Sequence, residues 1–184
     1  MTQVTVVGGG PAGLSAALFT AKNGLDTTVY DTDETWMHKA HLFNYLGIDS
    51  MDGTEFMDVS REQVEGFGVE ILDLEVTDVS HDGDDFLVGT ESDERDADYV
   101  ILATGADRSL AESLGCAFTD EDVVDVDVTM ETSVADAYAT GAMVRAEEWQ
   151  AVISAGDGAA AALNVLTKEK GEHFHDFDTP ADAE

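Results

Sequence analysis

The chain has 184 residues, 43% of them hydrophobic, which is long enough for one domain with a buried core. It carries 40 Asp and Glu against eight Lys and Arg, a formal net charge of -32. So few basic residues argue against nucleic-acid binding, and no apolar stretch approaches the ~20 residues of a membrane span.

Three explanations compete for the acidic composition. Disorder is disfavoured because apolar periodicity runs through most of the chain. Mimicry of nucleic acid, or binding to a basic partner, is disfavoured because the acids are spread over the chain rather than grouped in one block. We favour life in concentrated salt, where screening makes self-repulsion cheap and carboxylates keep the surface hydrated. The composition resembles that of halophilic archaeal proteins.

The first elements form a βαβ unit. A valine-rich run over 4–7 predicts a buried parallel strand, and a helix over 12–23 follows, with Pro11 at a favoured first position. A second strand over 27–30 ends at Asp31. The chain enters this pattern at once, without a signal peptide, so we expect a cytoplasmic protein.

The remainder predicts a small antiparallel meander and further parallel strands, and so an α/β fold. A helix is expected over 54–67, with Phe56, Met57, Val64 and Phe67 on its apolar side. Strands are expected over 69–75, 76–81, 86–90, 99–103 and 138–140, with Asp82-Gly83 marking a hairpin turn. Residues 106–135 are loosely patterned, and a helix over 147–170 is interrupted at 156–158. We predict one domain over 1–170 and a flexible acidic tail over 171–184.

The glycine-rich segment after the first strand fits the G-x-G-x-x-G dinucleotide fingerprint. Gly8 permits the tight turn, Gly10 lets a diphosphate approach the backbone, and Gly13 lets the helix pack closely on the sheet. The helix N-terminus then offers free amides to the phosphates. Asp31 follows Gly10 by 21 residues, near the spacing expected for the acid that binds a ribose hydroxyl, and an acid here disfavours NADP. The alternative is a glycine turn that only packs the helix on the strand.

Four stretches, in this order, resemble the thioredoxin reductases among the FAD-dependent pyridine nucleotide-disulfide oxidoreductases, over nearly the whole chain to about residue 170. The first is the glycine turn over 6–17, and the second is Asn44-Tyr45-Leu46-Gly47 with the segment 53–56. The third is the Ala-Thr-Gly turn within 101–106. The fourth covers 132–141 and continues through Gln150-Ala151 to residue 160.

The resemblance implies a Rossmann-like, three-layer FAD-binding fold and a set of cofactor contacts. It places Asn44 and the Gln150-Ala151 pair beside the flavin, and Val76 beside the adenine. A helix beginning near Glu147 would direct its positive end at the ligand, where free amides stabilise a reduced, anionic flavin. The predicted FAD-binding residues are Gly8, Gly10, Pro11, Ala12, Gly13, Asp31, Asn44, Val76, Thr104, Gly105, Gly141, Ala142, Gln150 and Ala151.

The sequence departs from the family in features that matter for function. In the family an NADPH domain with a Cys-x-x-Cys pair follows the Ala-Thr-Gly turn, whereas here only residues 106–131 lie between that turn and the fourth stretch. The chain has one cysteine, Cys116, so it cannot form the redox disulfide. Ala142 replaces an aspartate that bonds the ribityl chain, and the segment 36–41 replaces a Gly-Gly-Gln segment.

These features predict a minimal flavoprotein oxidoreductase. Its electrons would come from diffusing NAD(P)H, a ferredoxin or a separate reductase subunit, and no residue is assigned as acid, base or nucleophile. The alternatives are a non-catalytic FAD- or NAD-binding module, serving as a sensor or as a subunit of a larger complex, and a turn that holds NAD instead of FAD. The family resemblance implies a homodimer. His38 and His41 are interpreted as ordinary side chains, so no metal site is predicted.

Overall fold

The structure is a computed structural model and describes residues 1–82 and 85–179. Ten strands and four α-helices follow one another along these residues, together with short 3₁₀ helices at Trp36–Lys39 and Gly141–Val144. The helices are α1 (Pro11–Lys22), α2 (Gly53–Glu65), α3 (Ser109–Ser113) and α4 (Ala151–Lys170). The strands are β1 (Gln3–Val7), β2 (Asp26–Tyr30), β3 (His41–Leu42), β4 (Met51–Asp52), β5 (Glu70–Leu72), β6 (Val76–Asp82), β7 (Asp85–Thr90), β8 (Glu94–Ala97), β9 (Tyr99–Leu102) and β10 (Ala137–Ala139).

Five parallel strands form the central sheet in the order β10-β9-β1-β2-β5. The chain leaves β1 toward β2 on one side and later returns to β9 on the other side. In doubly wound sheets, a crevice opens beyond the carboxyl ends of the strands at this reversal. The predicted α/β fold with a parallel sheet is confirmed.

The core lies in two layers, one on each face of the sheet. Alternate strand residues such as Val6 and Ile101 pack with α1, α2 and α4, including Leu14 and Val165. Their neighbours face the other way, where Val7 and Leu102 pack with the antiparallel sheet β6-β7-β8 and with α3. The predicted three layers are therefore helices, parallel sheet and meander.

The meander is larger than the sequence predicts. β6 and β7 pair as expected, but β8 adds a third strand along β7 that was not predicted. Its sequence, Glu-Arg-Asp-Ala, buries only Ala97, so no apolar alternation marks it. Of the predicted Asp82-Gly83 turn, Gly83 lies outside the described residues.

Two predicted helices need correction. α4 begins at Ala151, four residues later than predicted, and runs without a break through 156–158. Asp157 and Gly158 are buried within it because this face packs on α1, where a Cβ at Gly158 would overlap the carbonyl oxygen of Ala12. α2 ends at Glu65, which leaves Phe67 half exposed rather than on the apolar face.

The connecting segments also carry structure. Residues 106–135 contain α3 and two isolated bridges, Phe118 with Val124 and Glu131 with Tyr138. Residues 171–179 have no regular secondary structure, although Lys22 pairs there with Asp176 at 2.7 Å. Across 1–82 and 85–179, none of the helices has the length and apolarity needed to cross a membrane.

Candidate functional site

The glycine turn leaves β1 at the carboxyl edge of the sheet and enters α1. Gly8 has φ of +107°, a left-handed backbone that suits glycine, and a Cβ on Gly13 would overlap the carbonyl oxygen of Gly8. Leu14 is the first helix residue whose amide bonds back, to Gly10 O at 2.9 Å. Among the described residues no side chain caps the helix at Gly10, so the amides of Ala12 and Gly13 remain free for a ligand.

Gly10 differs from the other glycines of the turn because a Cβ placed there would overlap no protein atom. The nearest atom to a Cβ placed there is Thr35 Oγ1, 3.7 Å away. A Cβ on Gly9 would instead overlap the carboxylate of Asp31. Gly10 is therefore the position at which a ligand could approach the backbone, as the fingerprint predicts.

The other strand ends bring more of the predicted residues to the same edge. Ala103, just before Thr104, lies against Gly8, because a Cβ on Gly8 would overlap its carbonyl oxygen. A Cβ on Gly141 would lie 3.2 Å from that of Ala12. The turns after β9 and β10 therefore meet the glycine turn directly, and Gly105 has φ of +67°.

Asp31 ends β2 beside this turn and is almost completely buried. Its Oδ1 accepts the amide of Asp33 at 3.1 Å, and its Oδ2 accepts a hydrogen bond from the guanidinium of Arg61 on α2. The sequence analysis missed Arg61. The one feature of the sequence that could have pointed to Arg61 is the scarcity of cations, since the chain has only eight Lys and Arg.

Asn44 and Gln150 come from distant segments and meet at the start of α4. Asn44 Nδ2 donates to Gln150 Oε1 at 2.8 Å. Gln150 is the N-cap of α4, and the amide of Ser154 donates to Gln150 O at 2.9 Å, so the amide of Ala151 is among those without an intrahelical acceptor. The structure thus brings together all three residues that were predicted to lie beside the flavin.

Arg108 fastens the turn after β9 to the turn after β10. Its Nε donates to Met143 O at 2.9 Å and an Nη donates to Ala142 O at 3.2 Å. Thr104 Oγ1 donates to the carbonyl oxygen of Asp107 at 2.6 Å within the first of these turns. Sequence reasoning missed Arg108, because its acceptors are carbonyl groups that no side-chain pattern reveals.

Val76 lies in the core between the sheet and the meander, in the same cluster as Tyr30. It is 7% exposed, so it offers a ligand little surface. Cys116 is also buried, and burial raises the pKa of its thiol, which suits a packing role.

The two histidines of the segment 36–41 do not converge. His38 bonds to Asp33 and Thr54, whereas His41 bonds to Ser50. No group of three His, Cys, Asp or Glu side chains in the described parts of the chain is placed to bind a metal ion.

A comparison with protein-family models decides the family. The model described as pyridine nucleotide-disulphide oxidoreductase matches residues 2–54 and 45–158. The chain belongs to this family. Family membership implies FAD as the cofactor, and the uncapped amides of α1, the open side of Gly10 and the free amides of α4 fit that group.

Curated thioredoxin reductases are similar in sequence. The protein from Listeria monocytogenes is 32% identical over 123 residues, which cover 65% of this chain and 37% of the relative. The protein from Streptomyces coelicolor is 34% identical over 110 residues, 56% of this chain and 34% of the relative. This member of the family thus spans little more than a third of the length of the curated relatives it matches.

Solved structures share the fold at low sequence identity. The atypical thioredoxin reductase TRi from Desulfovibrio vulgaris Hildenborough superposes with a TM-score of 0.86 at 18% identity, over 94% of this chain and 99% of that chain. A ferredoxin-flavin thioredoxin reductase from Clostridium acetobutylicum gives 0.81 at 18% identity, over 94% and 100%. At this sequence identity, the two superpositions establish a shared fold and do not establish a shared activity.

Proposed function

We propose that the chain binds FAD and passes electrons through it, as a thioredoxin reductase-like oxidoreductase without an NADPH domain or a dithiol of its own. The observation that carries the proposal is the uncapped first turn of α1 at Gly10. It lies at the carboxyl edge of the sheet, next to the turns that follow β9 and β10. Backbone amides there would bind the diphosphate, and the helix dipole would add to the attraction.

The flavin would lie at the start of α4. When bound, FAD supplies the redox chemistry, and the protein positions it and adjusts its electrostatics. The Asn44–Gln150 pair would fix the edge of the ring, and the free amide of Ala151 would stabilise negative charge on it. Asp31 would hold the adenosine ribose at the other end of the cofactor.

The electron donor would be separate from this chain. Between the turn after β9 and strand β10, residues 106–136 form α3 and short bridges, and the sequence contains one cysteine, which is buried. The donor would then be diffusing NAD(P)H, a ferredoxin or a separate reductase subunit. The printed name of the Clostridium acetobutylicum structure pairs ferredoxin with a flavin thioredoxin reductase, which supports testing ferredoxin early.

A non-catalytic FAD- or NAD-binding module is the second candidate. Ala142 favours it, because this position, next to Gly141 at the end of β10, carries no side-chain acceptor for the cofactor. Such a module would keep the diphosphate turn and serve as a sensor or as a subunit of a complex.

The test is a spectrum followed by an anaerobic titration. The protein is purified in KCl on the order of 1 M, where the Debye length is ~3 Å, and supplied with FAD. Unbound FAD is then removed by gel filtration in the same salt. We expect a yellow protein with flavin absorbance bands that bleach on addition of NADH, NADPH or reduced ferredoxin. A folded protein that retains no FAD contradicts the proposal. A yellow protein that only dithionite reduces identifies the module instead.

A further inference from the structure

The predicted ribose ligand, Asp31, is held by a partner that the fingerprint does not include. In the described part of the chain its carboxylate accepts two hydrogen bonds, one from the Asp33 amide and one from the Arg61 guanidinium. A carboxylate offers about four acceptor sites. Two therefore remain for the hydroxyl groups of a ribose.

Arg61 also binds a second acid. The same Nη group donates to Asp33 Oδ1 at 2.7 Å, and Asp33 has φ of +57°, a left-handed turn that directs its side chain back toward α2. His38 Nε2 lies 2.8 Å from that Asp33 oxygen, and His38 Nδ1 lies 3.1 Å from Thr54 Oγ1. The guanidinium thus lies between two carboxylates at the adenosine end of the site.

The negative charge of the two acids makes the orientation of Asp31 depend on the cation between them. Asp31 is nearly buried in a protein of formal net charge -32, and Asp33 places a second carboxylate beside it, so the two acids would repel each other without a cation between them. A reoriented Asp31 would accept ribose hydroxyls poorly. The guanidinium counters this repulsion, because charge-assisted hydrogen bonds to both acids hold the carboxylate of Asp31 in one orientation.

We propose that Arg61 is a positioning residue that keeps the carboxylate of Asp31 directed at the 2′- and 3′-hydroxyls of an adenosine ribose. The inference rests on the proposed cofactor function and adds a residue outside the glycine turn to it. Arg61 acts through Asp31, so its effect belongs to the adenosine end and not to the flavin end.

The experiment measures ribose recognition directly. ADP and 2′,3′-dideoxy-ADP compete with FAD for the protein in molar KCl, and the ratio of their affinities reports the hydroxyl contacts. We expect the wild-type protein to prefer ADP by about tenfold, the effect of one good hydrogen bond. Arg61→Gln should bring the ratio close to one. Arg95→Gln, which removes an exposed pair with Glu70, serves as the matched control and should leave it unchanged.

The outcomes separate the two proposals. If the folded wild-type protein binds neither FAD nor ADP, the cofactor function fails. If it binds both nucleotides without preferring ADP, or if Arg61→Gln keeps the preference, the role of Arg61 is refuted. Arg61→Lys covers the case in which the glutamine variant does not fold. Lysine keeps the charge but bonds to only one of the two carboxylates, so we expect an intermediate ratio. A full wild-type ratio in Arg61→Lys would also overturn the proposed role, because it would show that bonding to both carboxylates is not needed.

Discussion

Asn44 Nδ2 and Gln150 Oε1 are 2.8 Å apart, although 106 positions separate the two residues in the chain. The bond joins the segment between β3 and β4 to the N-terminus of α4. It forms where the proposed flavin would meet free helix amides, so the two side chains would act on the cofactor as a unit.

We therefore expect Asn44→Leu and Gln150→Leu each to weaken FAD binding about tenfold, and the double variant to lose little more than either one. Residues that share one hydrogen bond give non-additive effects, because removing one partner already disables the other. Fluorescence titration with FAD of the wild-type protein, the two single variants and the double variant completes a double-mutant cycle. Fully additive losses would show that the pair is not a functional unit.

Two glycines of α4 that are two positions apart should respond in opposite ways to alanine. A Cβ at Gly156 meets nothing within 4 Å, whereas one at Gly158 overlaps the carbonyl oxygen of Ala12. Gly156→Ala should stabilise the protein by about 0.5–1 kcal/mol, because alanine loses less conformational entropy in a helix. Gly158→Ala should destabilise it by about 1–3 kcal/mol through overpacking.

Thermal and denaturant unfolding in molar KCl measure both effects. The pair tests the continuity of α4, because a helix broken at 156–158 would release Gly158 from α1. Equal responses of the two variants would contradict the packing described above.

Asp107 gives a pH-dependent prediction in the turn after β9. The backbone amide of Ser109, with its hydroxyl, lowers the pKa of the Asp107 carboxyl below its usual value near 4. A folded-state pKa below the unfolded one stabilises the fold above the unfolded value, and this stabilisation is lost as the pH falls through the folded value. Asp107→Ala should thus cost about 0.5 kcal/mol at pH 7, since the exposed group is screened, and this cost should shrink as the pH falls through the folded-state pKa.

Denaturant unfolding of Asp107→Ala and the wild-type protein, compared at each pH, checks this, because the repulsion among the other acids cancels in the difference. A deficit that grows as the pH falls would mean that the carboxylate does not receive the Ser109 bonds.

Salt should strengthen FAD binding instead of weakening it. Two phosphate charges must approach a protein of formal net charge -32, and screening reduces that repulsion as the Debye length falls from ~10 Å at 0.1 M to ~3 Å at 1 M. We expect a several-fold gain in affinity over the range of KCl in which circular dichroism shows a folded protein. Neutral riboflavin is the control and should change less. A steady loss of FAD affinity with KCl would indicate that local cations dominate the site.

Short-range patterns predicted the part of the candidate site around the glycine turn. The glycine spacing, the preceding strand and Asp31 fall within a single βαβ unit, whose local geometry dictates where each residue lies. Asn44, Gln150 and Ala151 came from a family resemblance, and the structure brings them together. The resemblance also supplied residues in the turns at the same sheet edge, namely Thr104, Gly105, Gly141 and Ala142.

What escaped prediction depends on long-range contacts. Arg61 pairs with an acid 30 positions earlier, and the sequence does not show that α2 faces Asp31. β8 forms because its backbone pairs with the edge of β7, although apolar and polar side chains do not alternate along it. The Gly-Asp-Gly segment predicted a break in α4, yet packing on Ala12 outweighs the low helix propensity of glycine.

The central claim is that cofactor phosphates contact the backbone at Gly10, and FAD binding by Gly10→Ala tests it most directly. Gly10 has φ of -76° and ψ of -174°, which alanine adopts freely, and an added Cβ comes no closer than 3.7 Å to the protein, at Thr35 Oγ1. The methyl group would occupy the space that the diphosphate needs. Our account predicts a melting temperature that is not lowered and an FAD affinity at least tenfold weaker, while Gly156→Ala binds FAD as the wild-type protein does. Wild-type FAD affinity in a folded Gly10→Ala protein would contradict it.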